Sequence, residues 1–185
     1  MNKYSKYIND HIKAYNAIDT KKILLIEKVL INKIKKKNTI FTCGNGGAAS
    51  IANHFLCDFN KGLKTHSKNT LKPKVISLSS NIEIITAISN DINYDKIFSY
   101  QLENFFKKND LLVTFSCSGN SKNIIDVIKY AKKKGIFTIS FTGFASKFTS
   151  RLTDINLNLN CKNYGICEDI FQSLMHMISQ KIITK

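Results

Sequence analysis

The sequence predicts a single α/β domain in which helices cover both faces of a parallel β-sheet. Short runs rich in β-branched and aromatic residues alternate with segments of helical periodicity, which is typical of βαβ units. The 185 residues contain no internal repeat and no Pro/Gly/Ser-rich linker, and their one proline is Pro73. Because a chain of about 100 to 200 residues usually forms one domain, we expect one compact body.

The chain before residue 38 has a helical pattern. Its apolar residues recur at spacings of three and four, which predicts two helices or one broken helix. These residues are Ile8, Ile12, Tyr15, Ile18, Ile23, Ile26, Val29, Leu30 and Ile34. The polar start of this segment lacks the basic, apolar and small-residue order of a secretory signal. We therefore divide the chain 1–185 into an N-terminal helical segment, 1–37, whose apolar face needs a partner, and an α/β core, 38–185.

The core alternates between five β-rich runs and five helical segments. The predicted strands cover residues 39–43, 74–78, 111–115, 137–141 and 155–159. The predicted helices lie near residues 47–60, 82–90, 94–106, 121–134 and 166–183. In sheets of this kind, ligands bind outside the C-terminal ends of the strands, where loops lead into helix N-termini.

Composition narrows the functional classes. The mean hydropathy is −0.14 and charged residues make up 22%. No apolar run approaches the roughly 18 residues that span a bilayer. We therefore expect a cytoplasmic protein. The net charge of +15 favours anionic ligands. Arg151 is the only arginine and the lysines are spread along the chain, which argues for a small anion over a nucleic acid. The five cysteines form no CxxC pair and predict reduced thiols.

Two loops between a strand and a helix carry candidate chemistry. The first is C-G-N-G-G at residues 43–47, where glycines allow backbone N–H groups to approach an anion closely. The second is S-C-S-G-N-S at residues 116–121, where three hydroxyls meet a helix N-terminus. Either loop alone is as well explained by turns and helix caps. Both together, at corresponding positions of the sheet, predict phosphate binding. Neither fits GxGxxG or GxxxxGK[ST], so NAD and ATP are not indicated.

At these loops the chain resembles the SIS (sugar isomerase) superfamily and, within it, the phosphoheptose isomerases, also called sedoheptulose 7-phosphate isomerases. The resemblance rests on residues 43–47 followed by His54, on S-N-D at 89–91 with Y-D-K-I-F at 94–98, on residues 116–121, and on a last helix with His176. It covers nearly the whole chain. It implies a three-layer fold with a five-stranded parallel sheet, a homotetramer whose active sites are lined by adjacent subunits, and one Zn²⁺ per subunit.

The resemblance also assigns roles to residues. The phosphate loop comprises Ser116, Cys117, Ser118 and Ser121. The sugar contacts are Gly44, Asn45, Gly46, Asn90 and Asp91. The metal and acid/base positions are His54, Asp58, Glu168 and His176.

Helical spacing agrees with this last group. His54 and Asp58 stand i, i+4 on one helix, about 40° apart, and so share a face. Glu168 and His176 stand two turns apart on the last helix, roughly 80° around it. Two imidazoles and two carboxylates could complete a tetrahedral zinc site, or leave a position for substrate if one acts as a base. Without the family pattern, a core or interface role would be the better explanation for either histidine.

The chain departs from the usual family motif at five positions. Ala48 replaces a serine, Asp58 a glutamate, Cys117 a threonine, Glu168 a glutamine and Phe171 a histidine. These changes suggest a divergent branch, with the fold retained and the substrate and base open.

The expected function is aldose–ketose isomerisation of sedoheptulose 7-phosphate to D-glycero-D-manno-heptose 7-phosphate, for nucleotide-heptose used in capsule or lipopolysaccharide. Asp58 is the expected base and His176 the acid, with zinc polarising oxygens; Glu168 could exchange roles with Asp58. Two alternatives are a non-catalytic SIS adaptor and the sugar-phosphate-sensing domain of a transcription regulator. The retained metal set argues against the first, and the lack of a preceding helix-turn-helix against the second.

Overall fold

The computed structural model describes residues 2–67, 71–144 and 147–184, with only the backbone of residue 147. Within these ranges, five parallel strands form one sheet in the order β2-β1-β3-β4-β5. The strands are β1 (Thr39–Gly44), β2 (Lys74–Ser77), β3 (Leu111–Ser116), β4 (Phe137–Thr142) and β5 (Ile155–Asn158). The predicted parallel α/β sheet is therefore confirmed.

The strand order changes direction between β1 and β3. From β1 the chain moves outward to β2, and it then returns to place β3 on the other side of β1. The register pairs Gly44 with Phe115, so the loops that follow β1 and β3 leave the sheet side by side. Such a switch point opens a crevice at the carboxyl ends of the strands, and this crevice is where open α/β sheets bind ligands.

Helices cover both faces of the sheet. Among the described residues they are α1 (Lys3–Asn16), α2 (Thr20–Lys35), α3 (Gly47–Cys57), α4 (Lys64–His66), α5 (Ile82–Asp91), α6 (Ser99–Phe105), α7 (Lys122–Lys133), α8 (Lys147–Leu152) and α9 (Tyr164–Ile183). The Asp19 side chain accepts hydrogen bonds from two backbone N–H groups at the start of α2, which makes the N-terminal segment two helices. None of these helices is long and apolar enough to cross a membrane.

Three helical features differ from the predictions: the extent of one helical run, the division of a predicted helix and an additional helix. A π-helical segment, Asp58–Leu63, continues α3 and joins it to α4, so this helical run passes residue 60. The segment predicted as one helix near 94–106 is a 3₁₀ turn at Tyr94–Lys96 followed by α6. Helix α8 was not predicted because six residues are too few to show a helical period.

Two apolar layers hold the helices to the sheet. On one face, α2, α3 and α9 bury residues such as Leu30, Phe55 and Phe171 against Phe115 and Phe141 of the central strands. On the other face, α6 and α7 bury residues such as Leu102, Val127 and Ile128 against Leu112. Successive strand residues point to opposite faces, which is why neighbouring positions of β3 serve different layers. The two candidate loops thus emerge from a rigid, fully buried pair of strands.

Candidate active site

A cavity of about 260 Å³ lies at the carboxyl ends of β1 and β3. Its lining includes Asn45 and Gly46 from the first loop, Ser116, Ser118 and Ser121 from the second, and Glu168 from α9. A larger cavity, about 490 Å³, lies beside α7 and is lined mainly by surface side chains such as Lys122 and Lys129. We take the smaller cavity as the candidate site because both predicted loops converge on it.

The first loop is held in place by its glycines and by Ser79. The Ser79 hydroxyl accepts from the Gly44 N–H at 3.1 Å and donates to the Gly44 carbonyl at 2.9 Å. A Cβ on Gly44 would lie 2.5 Å from the carbonyl oxygen of Ala48, so only glycine fits there. Gly46 has φ 56° and ψ −127°, a conformation that side chains disfavour. The loop is therefore a shaped cradle at the start of α3.

Asn45 is tied to α7 and to the 3₁₀ turn. Its amide exchanges two hydrogen bonds of 2.9 Å with the amide of Asn123. The Tyr94 hydroxyl donates to Asn45 Oδ1 at 3.1 Å. These bonds join the loop after β1 to the helix that follows the second loop.

The second loop presents hydroxyls at the start of α7. The Gly119 N–H donates to Ser116 Oγ at 3.1 Å, and the Asn120 N–H donates to Ser118 Oγ at 3.2 Å. Ser121 is the N-cap residue of α7, yet its side chain makes no capping bond to the part of the chain that is described. Its hydroxyl is thus available to a ligand at a helix N-terminus, where anions are favoured.

Cys117, the second residue of this loop, offers no strong donor. Its sulfur lies 3.8 Å from the Tyr164 carbonyl oxygen, and its own carbonyl accepts from Gly143 at 3.0 Å. A hydrogen bond with Cys117, followed by burial, raises the pKa of the neighbouring Cys167 thiol. Both cysteines are buried and pack beneath the loop.

Glu168 projects from the first turns of α9 into the same cavity. Its carboxylate lies against Gly47, the first residue of α3, and a Cβ on Gly47 would collide with it. The N-terminus of a helix is a favourable place for a carboxylate. Glu168 therefore lies at the first loop, apart from the two histidines.

Three other predicted residues do converge, between α3 and α9. His54 Nε2 lies 3.2 Å from Asp58 Oδ1 and 3.1 Å from His176 Nε2, and His176 Nε2 lies 3.7 Å from Asp58 Oδ2. The Gln172 amide lies 2.8 Å from His176 Nε2. We call His54, Asp58 and His176 the triad. Asp58 is the first residue of the π-helical segment, a type of irregularity that often occurs at functional sites.

The triad fits a bound metal ion. Asp58 Oδ2 is buried and has no hydrogen-bond partner among the described residues. Ligands about 2.0 to 2.1 Å from a tetrahedral centre stand about 3.3 Å apart. The two histidine Nε2 atoms lie 3.1 Å apart, and the Asp58 carboxylate lies 3.2 Å from one of them through Oδ1 and 3.7 Å from the other through Oδ2. The three side chains form a group that could hold one ion, and Glu168 is not part of this group. Its role as a fourth ligand stays a prediction.

Asn90 and Asp91 lie at the C-terminal end of α5. The Asn90 amide donates to Asp91 Oδ1 at 2.8 Å, and both residues are exposed. Neither belongs to the lining of the cavity. Their predicted sugar contacts therefore stay a prediction.

Four residues of this region were not among the predicted site residues: Ser79, Tyr94, Asn123 and Gln172. Gln172 has a usable signal, since it stands four residues from both Glu168 and His176 on one face of α9. Tyr94 and Asn123 reach Asn45 across 49 and 78 positions of the chain, and no local pattern indicates such contacts.

Comparison with known proteins agrees with the fold and identifies the family. The family model described as SIS domain matches residues 3–143. A probable phosphoheptose isomerase from Thermoplasma acidophilum is 36% identical over 181 residues, 97% of each chain. A phosphoheptose isomerase from Aliarcobacter butzleri is 35% identical over 155 residues, 84% of this chain and 80% of the relative. The chain belongs to the SIS domain family, among the phosphoheptose isomerases.

The solved structure of a phosphoheptose isomerase from Neisseria gonorrhoeae has the same fold. It superposes with a TM-score of 0.89 at 23% identity, over 98% of this chain and 97% of that one. As a family member, the chain is an isomerase enzyme.

Proposed function

We propose that the enzyme interconverts sedoheptulose 7-phosphate and D-glycero-D-manno-heptose 7-phosphate in the cytoplasm, for nucleotide-heptose used in capsule or lipopolysaccharide. The observation that carries this proposal is the placement of two chemically different centres along one face of α9. The hydroxyl-lined cavity contains Glu168, and the triad contains His176 two turns later. One centre suits a phosphate and the other suits proton transfer.

The phosphate is bound by the loop at residues 116–121. Ser118 and Ser121 offer hydroxyls, and the first turn of α7 offers backbone N–H groups. Hydrogen bonds to a charged group contribute about 1.5 to 3 kcal/mol each. Several such bonds hold one end of the substrate firmly and leave its other end free to reach the triad.

The length of the substrate chain is supported by the relatives, because the curated proteins that match this chain are named phosphoheptose isomerases.

Isomerisation moves a proton between C1 and C2, and this requires a base and an acid. We assign Asp58 as the base and His176 as the acid, because their polar atoms lie 3.7 Å apart and face each other. Glu168 is the second candidate for the base, since its carboxylate lines the cavity itself. The two assignments differ in which carboxylate must be ionised and close to C1 or C2.

His54, Asp58 and His176 would hold one Zn²⁺ per subunit, with Gln172 or Glu168 as a further ligand. When bound, zinc would act as a Lewis acid toward the substrate oxygens. Oδ1 of Asp58 faces His54 and Oδ2 faces His176, so either carboxylate oxygen could contribute to holding the ion.

A homotetramer would complete the site. Two helices carry many exposed large apolar side chains: Tyr4, Ile8, Ile12, Leu24 and Leu25 of α1 and α2 are 48–82% exposed. The cavity of about 260 Å³ is also smaller than the roughly 300 to 1,000 Å³ of ordinary ligand sites. Both features are expected if another subunit covers α1 and closes the cavity.

The test is turnover by the purified protein, with sedoheptulose 7-phosphate and a panel of shorter ketose phosphates, beside elemental analysis for zinc. The proposal expects turnover of the seven-carbon substrate in preference to the shorter ones. Binding without turnover across the whole panel would support the adaptor instead.

A further inference from the structure

We propose that Asn123 and Tyr94 are positioning residues that fix the side-chain amide of Asn45, so that Asn45 presents one N–H donor to an acceptor oxygen of the sugar. This inference rests on the proposed function for the identity of the ligand. It adds two residues that contact Asn45, and it states which atom of Asn45 the ligand meets.

A backbone donor fixes the orientation of the Asn123 amide. The N–H of Ile124 donates at 2.9 Å to the side chain of Asn123, so the atom it meets is the amide oxygen. Asn123 is 1% exposed, and no solvent offers its amide an alternative orientation. The other polar atom of the Asn123 amide is therefore the nitrogen, and this nitrogen faces Asn45 Oδ1.

The orientation of Asn123 then dictates that of Asn45. Asn123 Nδ2 donates to Asn45 Oδ1 at 2.9 Å, and Asn45 Nδ2 donates in return to Asn123 Oδ1 at 2.9 Å. The Tyr94 hydroxyl donates to the same Asn45 Oδ1 at 3.1 Å. Turning the Asn45 amide over would place nitrogen against nitrogen and oxygen against oxygen.

The Asn45 side-chain amide has one hydrogen-bonding position left for a ligand. An amide oxygen accepts two hydrogen bonds and an amide nitrogen donates two. Asn45 Oδ1 uses both of its positions on Asn123 and Tyr94, whereas Nδ2 uses one hydrogen on Asn123. The second hydrogen has no acceptor among the described residues, and Asn45 lines the cavity. Asn45 therefore recognises an oxygen that accepts, such as a sugar hydroxyl or carbonyl.

The main test uses Asn123→Asp, which keeps the shape but replaces the Nδ2 donor by an oxygen. We expect the Kd for sedoheptulose 7-phosphate to rise at least tenfold more than the Kd for inorganic phosphate, a probe of the serine loop alone that reports the repulsion from the new carboxylate in the first turn of α7. The matched control is Asn32→Asp, the same change at an exposed position of α2. Equal losses for both ligands, or no loss for either, would overturn the inference.

A double-variant cycle separates positioning from general damage. If Asn123 acts through Asn45, the pair Asn45→Ala/Asn123→Asp binds the sugar phosphate as weakly as Asn45→Ala alone. If the double variant instead loses affinity by the product of the two separate losses, the inference is overturned.

Tyr94→Phe is a milder test at a half-exposed position, and it applies if the buried Asn123→Asp change prevents folding. We expect the affinity for the sugar phosphate to fall a few-fold and the affinity for inorganic phosphate to stay the same. No change would count against Tyr94.

One readout needs no sugar and so separates this inference from the proposed function. In ¹⁵N-labelled protein, the Asn45 side chain should show one Nδ2 proton protected from exchange and one not. Tyr94→Phe should shift both signals. If both protons exchange freely, the positioning role fails even where the sugar phosphate is turned over; if protection is seen and no sugar phosphate binds, the proposed function fails alone.

Discussion

The cavity and the triad lie on one helix face but differ in how their polar groups are satisfied. In the cavity, Asn45 is bonded on both atoms of its amide, and Gly44 is bonded on both sides by Ser79. In the triad, two imidazole nitrogens face each other at 3.1 Å and Asp58 Oδ2 is buried without a described partner. In the first region the loop atoms are held in place by hydrogen bonds within the protein, whereas the second calls for an ion or proton between its members. We therefore expect changes in the triad to have the larger consequences.

The largest effect is predicted for the triad histidines. His54→Ala and His176→Ala should each remove most of the bound zinc and abolish turnover, because each deletes one of three converging donors. Elemental analysis and a turnover assay measure the two losses. His66→Ala, at an exposed position of α4, is the control and should change neither. Full activity in protein verified as zinc-free would contradict the metal role.

A smaller but still large effect separates the two carboxylates. Asp58→Asn should lower kcat at least a hundredfold, the usual scale for a general base, while the fold is kept. Glu168→Gln restores the residue usual in the family and should leave kcat within tenfold if Asp58 is the base. If Glu168→Gln lowers kcat more than Asp58→Asn does, Glu168 is the base.

Asp58→Glu tests the site further. If Asp58 only binds metal, kcat should be unchanged or higher; if the site is adapted to the shorter acid, kcat should fall.

The serine loop should affect binding more than chemistry. Ser118→Ala combined with Ser121→Ala removes hydrogen bonds worth about 1.5 to 3 kcal/mol each, so the affinity for sugar phosphate should fall at least tenfold. Calorimetry measures the affinity. Circular dichroism checks that α7 survives, as expected because the Ser121 side chain makes no capping bond to the described residues. Unchanged affinity in the double variant would refute phosphate binding by this loop.

Assembly is predicted to depend on α1. Replacing the exposed Ile8 and Ile12 by lysine should weaken the tetramer, because charged side chains would then have to be buried at the subunit contact. Light scattering measures the mass, and the turnover assay shows whether activity falls with it. A stable monomer of the natural chain with full activity would remove both the tetramer and the shared site.

The smallest effect is expected away from both regions, where α1 meets α9. The Tyr7 hydroxyl donates to Asp169 at 2.7 Å, and this bond raises the pKa of Tyr7 to about 12. The contribution of the bond to stability should be present below about pH 10 and be lost as pH rises through 12. Tyr7→Phe should lower the free energy of unfolding by about 0.5 to 1.5 kcal/mol near neutral pH, with the difference vanishing in strong alkali. Denaturation curves at several pH values measure it.

The sequence predicted the sheet well because each strand is a short β-branched run between polar segments. For β2, residues 74–78 were predicted and Lys74–Ser77 are found. The helices were predicted less well, since a six-residue α8 has no period and the change to π-helical geometry at Asp58 leaves no mark on apolar spacing. Spacing of i, i+4 did indicate that His54 and Asp58 share a face, and they lie 3.2 Å apart.

Spacing could not decide where Glu168 points. The residue shares a face of α9 with His176, but Gly47 leaves room for its carboxylate at the start of α3, and that choice depends on tertiary contact. The same limit applies to Asn123, whose partner Asn45 is 78 positions away. Periodicity describes one element at a time, whereas these two placements depend on the packing of two elements.

The central claim is that the two regions act on the two ends of one substrate. The most direct test is NMR of the zinc-loaded enzyme with sedoheptulose 7-phosphate in D₂O, because proton transfer through a base exposed to solvent exchanges the migrating hydrogen. The account predicts an aldose 7-phosphate product that carries deuterium at C2, and it predicts that Asp58→Asn loses this exchange even while the sugar phosphate still binds. Bound zinc and bound sugar phosphate with no product and no deuterium at C1 or C2 would contradict it.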